Sequence, residues 1–306
     1  MGILTLEAPR RTIDASPFLK WAGGKSQLLP AYDRYLPKVP LAGYIEPFVG
    51  GGAVFFHIVS NYDELLPKAR GTRVLADYNE ELINCYAAVR DTVNELIDAL
   101  RRLEQEFNRD ENLRRRQHMY YAMRREQPQS RVERAARLIF LNRTCYNGLY
   151  RVNSKGEFNV PMGRYKRPRI LDEENLRAVS LALRGVALLA EDFEVVTRRF
   201  ARPGWFIYFD PPYMPLSQTA NFTGYTKNGF GLDDQERLAR LFADLDDMGC
   251  YVMLSNSSHG AIARFYQQYR PLVIPARRAI NCNPSGRGEI QEFLVLGSVL
   301  RRLVVG

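Results

Sequence analysis

Three short apolar runs, each closing on an acidic residue, set the strongest limit on how this chain can fold. They are Tyr44-Ile45-Glu46, Val74-Leu75-Ala76-Asp77 and Trp205-Phe206-Ile207-Tyr208-Phe209-Asp210. A strand that reads as continuously apolar is one covered on both faces, and such strands belong to parallel sheets. Pro47-Phe48-Val49 and a triple glycine, Gly50-Gly51-Gly52, follow the first run. The pattern predicts an α/β, doubly wound sheet with its ligand site at the carboxyl ends of the strands. Cys250 to Leu254 and Phe293 to Leu296 read as further strands. Between Asp210 and Cys250 a helix is expected, with Asp233 and Glu236 as its cap, Leu238, Leu241, Phe242 and Leu245 on its buried stripe, and Gly249 at its end.

The middle of the chain has a different texture. From Glu81 to Gln127 the pattern is helical and heavily charged, Ala135 to Asn142 is an apolar helix, and Leu149 to Val160 reads as a hairpin turning on Asn153, Ser154 and Gly156. The expected organisation is a lead-in over 1–17, a sheet domain over 18–80 and 181–306, and an inserted domain over 81–180. The chain carries 43 Lys and Arg against 34 Asp and Glu. Between Arg143 and Arg169 seven basic residues stand against Glu157 alone, so most of the surplus sits in one stretch and favours a polyanionic partner.

Four cysteines at 85, 145, 250 and 282 form no C-x-x-C pair, and His57, His118 and His259 are scattered. No metal site is expected. The cysteine usage and the lack of a signal peptide fit a reducing, cytoplasmic setting, and no apolar run approaches the ~20 residues of a membrane span. The stretch WAGGKS, residues 21–26, ends like a phosphate-binding loop, but that loop needs a glycine at position 19, where Leu19 stands. Read on the residues alone, Lys25 is a surface lysine and Asp77 a turn residue.

Phe209-Asp210-Pro211-Pro212-Tyr213 carries the chemistry. Asp210 offers a carboxylate. Two prolines stiffen the turn and bring no N–H to compete for the Pro211 carbonyl. Two fixed acceptors can take both hydrogens of an exocyclic aromatic amine and draw its nitrogen towards a tetrahedral shape, its lone pair aimed at an electrophile. Tyr213 supplies a face for the ring. A hydrogen bond to a charged acceptor contributes about 1.5–3 kcal/mol, and stacking about 1–3 kcal/mol. Positioning two reactants contributes about 7–11 kcal/mol. Orientation therefore dominates, and no covalent intermediate is required.

In this order, FLKWAGGK, YIEPFVGGG, LADYN, NRTCYNGLYRVNSKGEFNVPMGRYKRP and FDPPY resemble the Dam-type (class D12) DNA adenine-N6 methyltransferases, over residues 18 to 297. PLSQTANFTGY and the Arg-Arg-Ala-Ile stretch at 277–280 share the likeness. The resemblance implies a Rossmann-like methyltransferase fold with an inserted, mainly helical target-recognition domain carrying a β-hairpin. It implies S-adenosyl-L-methionine as methyl donor and double-stranded DNA as partner, with no metal, no membrane and no obligate protein partner. By the same resemblance, Trp21, Lys25, Glu46, Phe48, Gly50, Asp77 and Asp210 hold the donor, and Asp210, Pro211, Pro212 and Tyr213 carry the transfer. Lys20, Tyr146, Asn147, Arg151, Pro161 and Tyr165 meet the DNA, with Arg151 reading guanine, while Arg164, Lys166, Arg167 and Arg169 grip phosphates. Gly51 stands where many relatives have alanine. GATC is the expected site, though relatives with this hairpin also take longer sites beginning with GAT. Methyl transfer to cytosine N4 or RNA, and an inactive DNA-binding relative, remain as other readings.

Overall fold

The computed structural model describes residues 13–109, 111–213, 230–257, 260–277 and 289–305. PLSQTANFTGY, residues 278–280, Cys282 and His259 lie outside them. Seven strands form one sheet: β1 (Gly43–Glu46), β2 (Arg73–Ala76), β3 (Ala187–Leu189), β4 (Trp205–Phe209), β5 (Tyr251–Ser257), β6 (Leu272–Arg277) and β7 (Glu289–Leu296). Their order is β3-β2-β1-β4-β5-β7-β6. All neighbours pair in parallel except β7, which runs against both β5 and β6. The chain winds outward from β1 through β2 to β3, then returns to β4 on the other side of β1. That reversal leaves a crevice beyond the carboxyl ends of β1 and β4, where sheets of this kind bind ligands.

The helices are α1 (Leu29–Tyr32), α2 (Ala53–Tyr62), α3 (Glu80–Asp91), α4 (Val93–Arg109), α5 (Leu113–Arg125), α6 (Arg131–Thr144), α7 (Glu173–Ala182), α8 (Phe193–Phe200), α9 (Leu232–Asp247), α10 (Gly260–Phe265) and α11 (Ser298–Val304). Alternate strand residues face opposite sides of the sheet. Tyr44, Leu75, Phe206, Tyr208 and Met253 pack with α2, α3, α6 and α7. Ile45, Val74, Ile207, Phe209, Val252 and Leu254 pack with α8, α9 and α10. Both faces are covered, which is why the strands read as continuous apolar runs. Helices α4 to α6 add Leu100, Phe107, Tyr120 and Phe140 to the same apolar cluster as Tyr44 and Phe206. The 81–180 segment is thus built onto one face of the sheet.

Two local expectations change. The cap of α9 is two residues earlier than Asp233 and Glu236: the Gly231 N–H donates to Asp234 Oδ2 at 3.0 Å and the helix begins at Leu232. The buried stripe and the ending at Gly249, with φ +89°, are as the spacing predicts. The 149–160 hairpin is reduced to one bridge, Val152 with Phe158, closed by Asn153 N–H to Glu157 O at 2.9 Å and Gly156 N–H to Asn153 O at 2.9 Å. Of the lead-in, residues 13–17 are docked. Ala15 N–H donates to Ser60 Oγ on α2, and Ser16 N–H to Asn175 Oδ1 on α7.

One side chain joins the segments that flank the crevice. Asn142, buried on α6, accepts from Lys20 N–H at 2.8 Å and donates to Lys20 O at 2.8 Å and Gly148 O at 3.0 Å. Removing it strands three backbone groups, and an unsatisfied buried group costs about 1–3 kcal/mol. Asn142→Ala is therefore expected to lower the unfolding free energy by at least about 2 kcal/mol, read as a lower urea midpoint at unchanged slope. An unchanged midpoint would show that water replaces the side chain.

Candidate functional site

The glycine turn after β1 is shaped by its backbone. Gly50 and Gly52 have φ of +47° and +71°, which side chains rarely tolerate. Val49 N–H donates to Ala76 O, and Tyr86 Oη donates to Gly50 O at 3.0 Å. The Gly50 N–H donates to Asp77 Oδ2 at 3.1 Å, tying the ends of β1 and β2 together. Trp21 covers this turn so closely that a Cβ on Gly50 would fall 2.8 Å from its ring. Gly51 has an ordinary φ, and a Cβ there would lie 3.3 Å from Trp21 Cβ, so an alanine would need only a small adjustment. The other side of Trp21 stacks on Tyr150, centroids 5.1 Å apart.

Lys25 is no surface lysine. It is 3% exposed, and its Nζ lies 2.6 Å from Asp210 Oδ1, 2.9 Å from Gly23 O and 3.4 Å from Glu292 Oε1. Burial works against its charge, but Asp210, Glu292 and Tyr213 outweigh that and hold the ammonium well above the usual lysine range. Asp210 Oδ1 also accepts from Ser255 Oγ at 3.2 Å. Burial pushes the Asp210 carboxyl up, against the pull of Lys25 and Ser255. Both contacts fall on Oδ1, so among the described residues Oδ2 has no partner.

The proline turn is held from below. Gln235 Nε2 donates to Pro212 O at 3.2 Å, and Asn256 Nδ2 donates to Gln235 Oε1 at 3.0 Å, both side chains fully buried. The Pro211 carbonyl has no partner among the described residues. Tyr213 is 39% exposed, with Lys25 Nζ 5.1 Å from its ring centre. Phe48 lines the far wall, stacked on Phe193 at 5.2 Å and edge-on to Phe209 and Phe230.

Two more carboxyls stand at the ends of the next two strands, β1 and β2. Glu46, fully buried, accepts from Tyr44 Oη at 2.7 Å. Burial pushes its carboxyl up to about 8, with the Asp210 charge adding and the Tyr44 hydroxyl opposing. Asp77 is pushed to about 6 by burial, although Asn79 N–H at 2.9 Å and the Gly50 N–H pull it down. Acids at the ends of three adjacent strands, with Lys25 the one described cation bonded to any of them, make a crevice that suits a positively charged ligand. Among the described residues no group of acids, histidines and cysteines is arranged to hold a metal, and no helix is long and apolar enough to cross a membrane.

A second cluster lies on the α6 side of Trp21. The tip Tyr146-Asn147-Gly148 is exposed at its first two residues, with Asn147 at φ +55° and Gly148 at +65°. The Tyr146 N–H donates to Pro161 O at 2.9 Å. Lys20 lies over Gly148, where a Cβ would come 2.4 Å from Lys20 Cδ, and its Nζ sits 5.2 Å from the Tyr165 ring centre. Lys20, Tyr146, Asn147, Pro161 and Tyr165 are thus brought together. Arg151 stands apart on the hairpin, its Nε donating to Asn159 Oδ1 at 2.7 Å and neither Nη bonded among the described residues. Arg164, Lys166 and Arg167 are exposed. Arg169 pairs with Asp172 at 2.7 Å, and Arg143 donates to Phe18 O at 2.8 Å.

Sequence reasoning missed Glu292, Ser255, Gln235, Asn256 and Asn142. For Ser255 and Asn256 a signal was present: two polar residues closing an apolar strand beside β4.

A family model described as D12 class N6 adenine-specific DNA methyltransferase matches residues 21–280. The chain is 45% identical to the type II methyltransferase M.MjaIII of Methanocaldococcus jannaschii, over 93% of this chain and 99% of that protein. It is 42% identical to the type II methyltransferase M1.LlaDCHI of Lactococcus lactis subsp. cremoris, over 94% and 96%. Against the DNA adenine methylase of Escherichia coli K12 the identity is 37%, over 91% and 94%.

The raised Glu46 acid makes a pH prediction. The folded state keeps its proton up to about 8, whereas the unfolded acid loses it near 4.5. Its contribution is fully present below the unfolded value and is lost as pH rises towards 8, at up to about 1.4 kcal/mol per pH unit. Glu46→Gln is expected to flatten the decline in urea midpoint between pH 5 and pH 8 relative to the parent. Parallel declines would mean that Glu46 is ionised in the fold.

Proposed function

Because the chain belongs to the D12 class of N6 adenine-specific DNA methyltransferases, we infer that it methylates N6 of an adenine turned out of duplex DNA, within GATC. The observation that carries this reading is Asp210, gripped through Oδ1 by Lys25 and Ser255, with Oδ2 and the Pro211 carbonyl both without a partner among the described residues. These two acceptors take the two hydrogens of the amine, and the half-exposed face of Tyr213 receives the base. Tethered on one oxygen, the carboxylate needs no reorganisation during transfer.

S-adenosyl-L-methionine, when bound, supplies a methyl carbon made electrophilic by its sulfonium. Its positive charge suits a crevice ringed by Glu46, Asp77 and Asp210, and the glycine turn with Trp21 and Phe48 forms the walls that would hold it. Lys25 donates to Gly23 O and Asp210 Oδ1 and pairs with Glu292 at 3.4 Å, so this lysine serves the transfer through Asp210. After transfer the amine nitrogen sheds one proton, and the Asp210 carboxylate is its acceptor.

An adenine inside a duplex must be extruded, at a cost of a few kcal/mol. Tyr146 and Asn147, on a tip held by Pro161, are suited to fill the space left behind. Lys20 and Tyr165 flank that tip. Arg151, oriented through its Nε by Asn159, offers two N–H groups to guanine O6 and N7. Arg164, Lys166 and Arg167 suit phosphates, and Arg169 reaches one only while sharing its charge with Asp172.

The direct test supplies labelled S-adenosyl-L-methionine with duplexes differing by one base pair around GATC, and with single-stranded RNA. Label on adenine N6 of GATC alone is expected; label on cytosine or RNA overturns the reading. Asp210→Ala is expected to abolish transfer while DNA binding without donor persists in a gel-shift titration, and retained transfer contradicts the assigned role. Arg151→Ala is expected to cost about 1–3 kcal/mol of discrimination at the guanine. If selectivity holds and only the salt dependence weakens, Arg151 meets a phosphate.

A further inference from the structure

Glu292 has no role in the reading above, yet it touches the centre of it. It lies on β7, the reversed strand, opposite Ser257 at the carboxyl end of β5. The antiparallel course of β7 thereby delivers an acid to the same edge of the sheet as Asp210. Glu292 is 4% exposed. Its Oε1 accepts from Tyr32 Oη at 3.0 Å and lies 3.4 Å from Lys25 Nζ.

An ammonium has three hydrogens. Lys25 donates one to Gly23 O and one to Asp210 Oδ1, and Glu292 Oε1 stands 3.4 Å from the same nitrogen as its second ion-pair partner. Two carboxylates share one cation, and the buried group carries a net charge of minus one when both are ionised. The titratable groups that face Glu292 are Lys25, Tyr32, Asp210, Tyr213 and Tyr208, and Lys25 is the one cation among them. Without the Glu292 charge, Lys25 would act on Asp210 alone. That would make Asp210 a weaker acceptor and leave the Tyr32 hydroxyl to find a new partner.

We propose that Glu292 is a positioning residue for methyl transfer: as the second ion-pair partner of Lys25 it steadies the ammonium at Oδ1 of Asp210 and leaves that carboxylate strongly accepting towards the substrate amine. The proposal rests on Asp210 being the acceptor of the amine hydrogens. It assigns Glu292 no contact with DNA or donor. Burial pushes the Glu292 carboxyl up and Lys25 pulls it down, in keeping with an acid that depends on its cation.

The test is single-turnover methyl transfer on a GATC duplex across pH 5 to 9 with Glu292→Gln, alongside gel-shift measurement of DNA affinity. The transfer rate is expected to fall on the order of 10- to 100-fold with DNA affinity unchanged. The acid limb of the profile should move to lower pH, because Asp210 loses the repulsion of a second carboxylate. An unchanged rate, or a lower rate with the limb in place, overturns the proposal. If the glutamine chain does not fold, Glu292→Asp keeps the charge but withdraws it by one methylene. It should slow transfer about 10-fold and leave the limb where it is, and parental kinetics would overturn the proposal. Asp210→Asn separates the two levels. Its full activity would sink the underlying reading, whereas its inactivity beside an unaltered Glu292→Gln would sink only the role of Glu292.

Discussion

The buried contact between Lys25 and Asp210 organises this molecule. It joins residues 185 apart in the chain and pins the Trp21–Lys25 turn to the end of β4. Taking two charges out of water costs several kcal/mol per ion, repaid only when geometry is good and the remaining hydrogens are used. Here Lys25 donates also to Gly23 O with Glu292 Oε1 3.4 Å away, and Asp210 accepts from Ser255 as well. Such a pair adds little net stability compared with well-packed apolar residues. What it adds is a single arrangement of the carboxylate, and the proposed chemistry depends on that.

From this contact the two working surfaces can be traced as one connected body. Trp21, four residues before Lys25, covers the glycine turn on one side and stacks on Tyr150 on the other. Lys20 is held by Asn142, which also holds Gly148 of the Tyr146 tip. A segment of six residues, Lys20 to Lys25, therefore runs from the proposed DNA face to the proposed transfer centre. A shift of the tip is transmitted by packed and hydrogen-bonded groups rather than across open space.

Much of the sheet was legible because parallel strands covered on both faces must be apolar, and β1, β2, β4 and β5 are. Asp77 and Asp210 were legible as strand-end acids for the same reason. Lys25 was not: a lysine after two glycines reads as exposed, and only the return of β4 beside β1 gives it a buried partner. Glu292 was hidden because strand direction is invisible in an apolar run. Had β7 been parallel, its first half would lie at the opposite edge of the sheet. The charge count over 143–169 also misled in part. Arg143 serves the fold through Phe18 O and Arg169 is paired with Asp172, which leaves five of the seven with no ion pair among the described residues.

The acids of the crevice explain one another. Glu46, Asp77 and Asp210 are each pushed up by burial, so the crevice holds carboxyl groups at a cost the fold must carry. Apolar residues at those positions would make a more stable sheet and a site with no preference for charge. A cationic ligand reverses the balance, since its charge favours the ionised form of every acid nearby. Its binding then contributes to folding stability through mass action. Lys25 cannot fill that role, because its ammonium is already divided between Asp210 and Glu292. Among the described residues the local deficit of positive charge is thus set by which strands lie side by side.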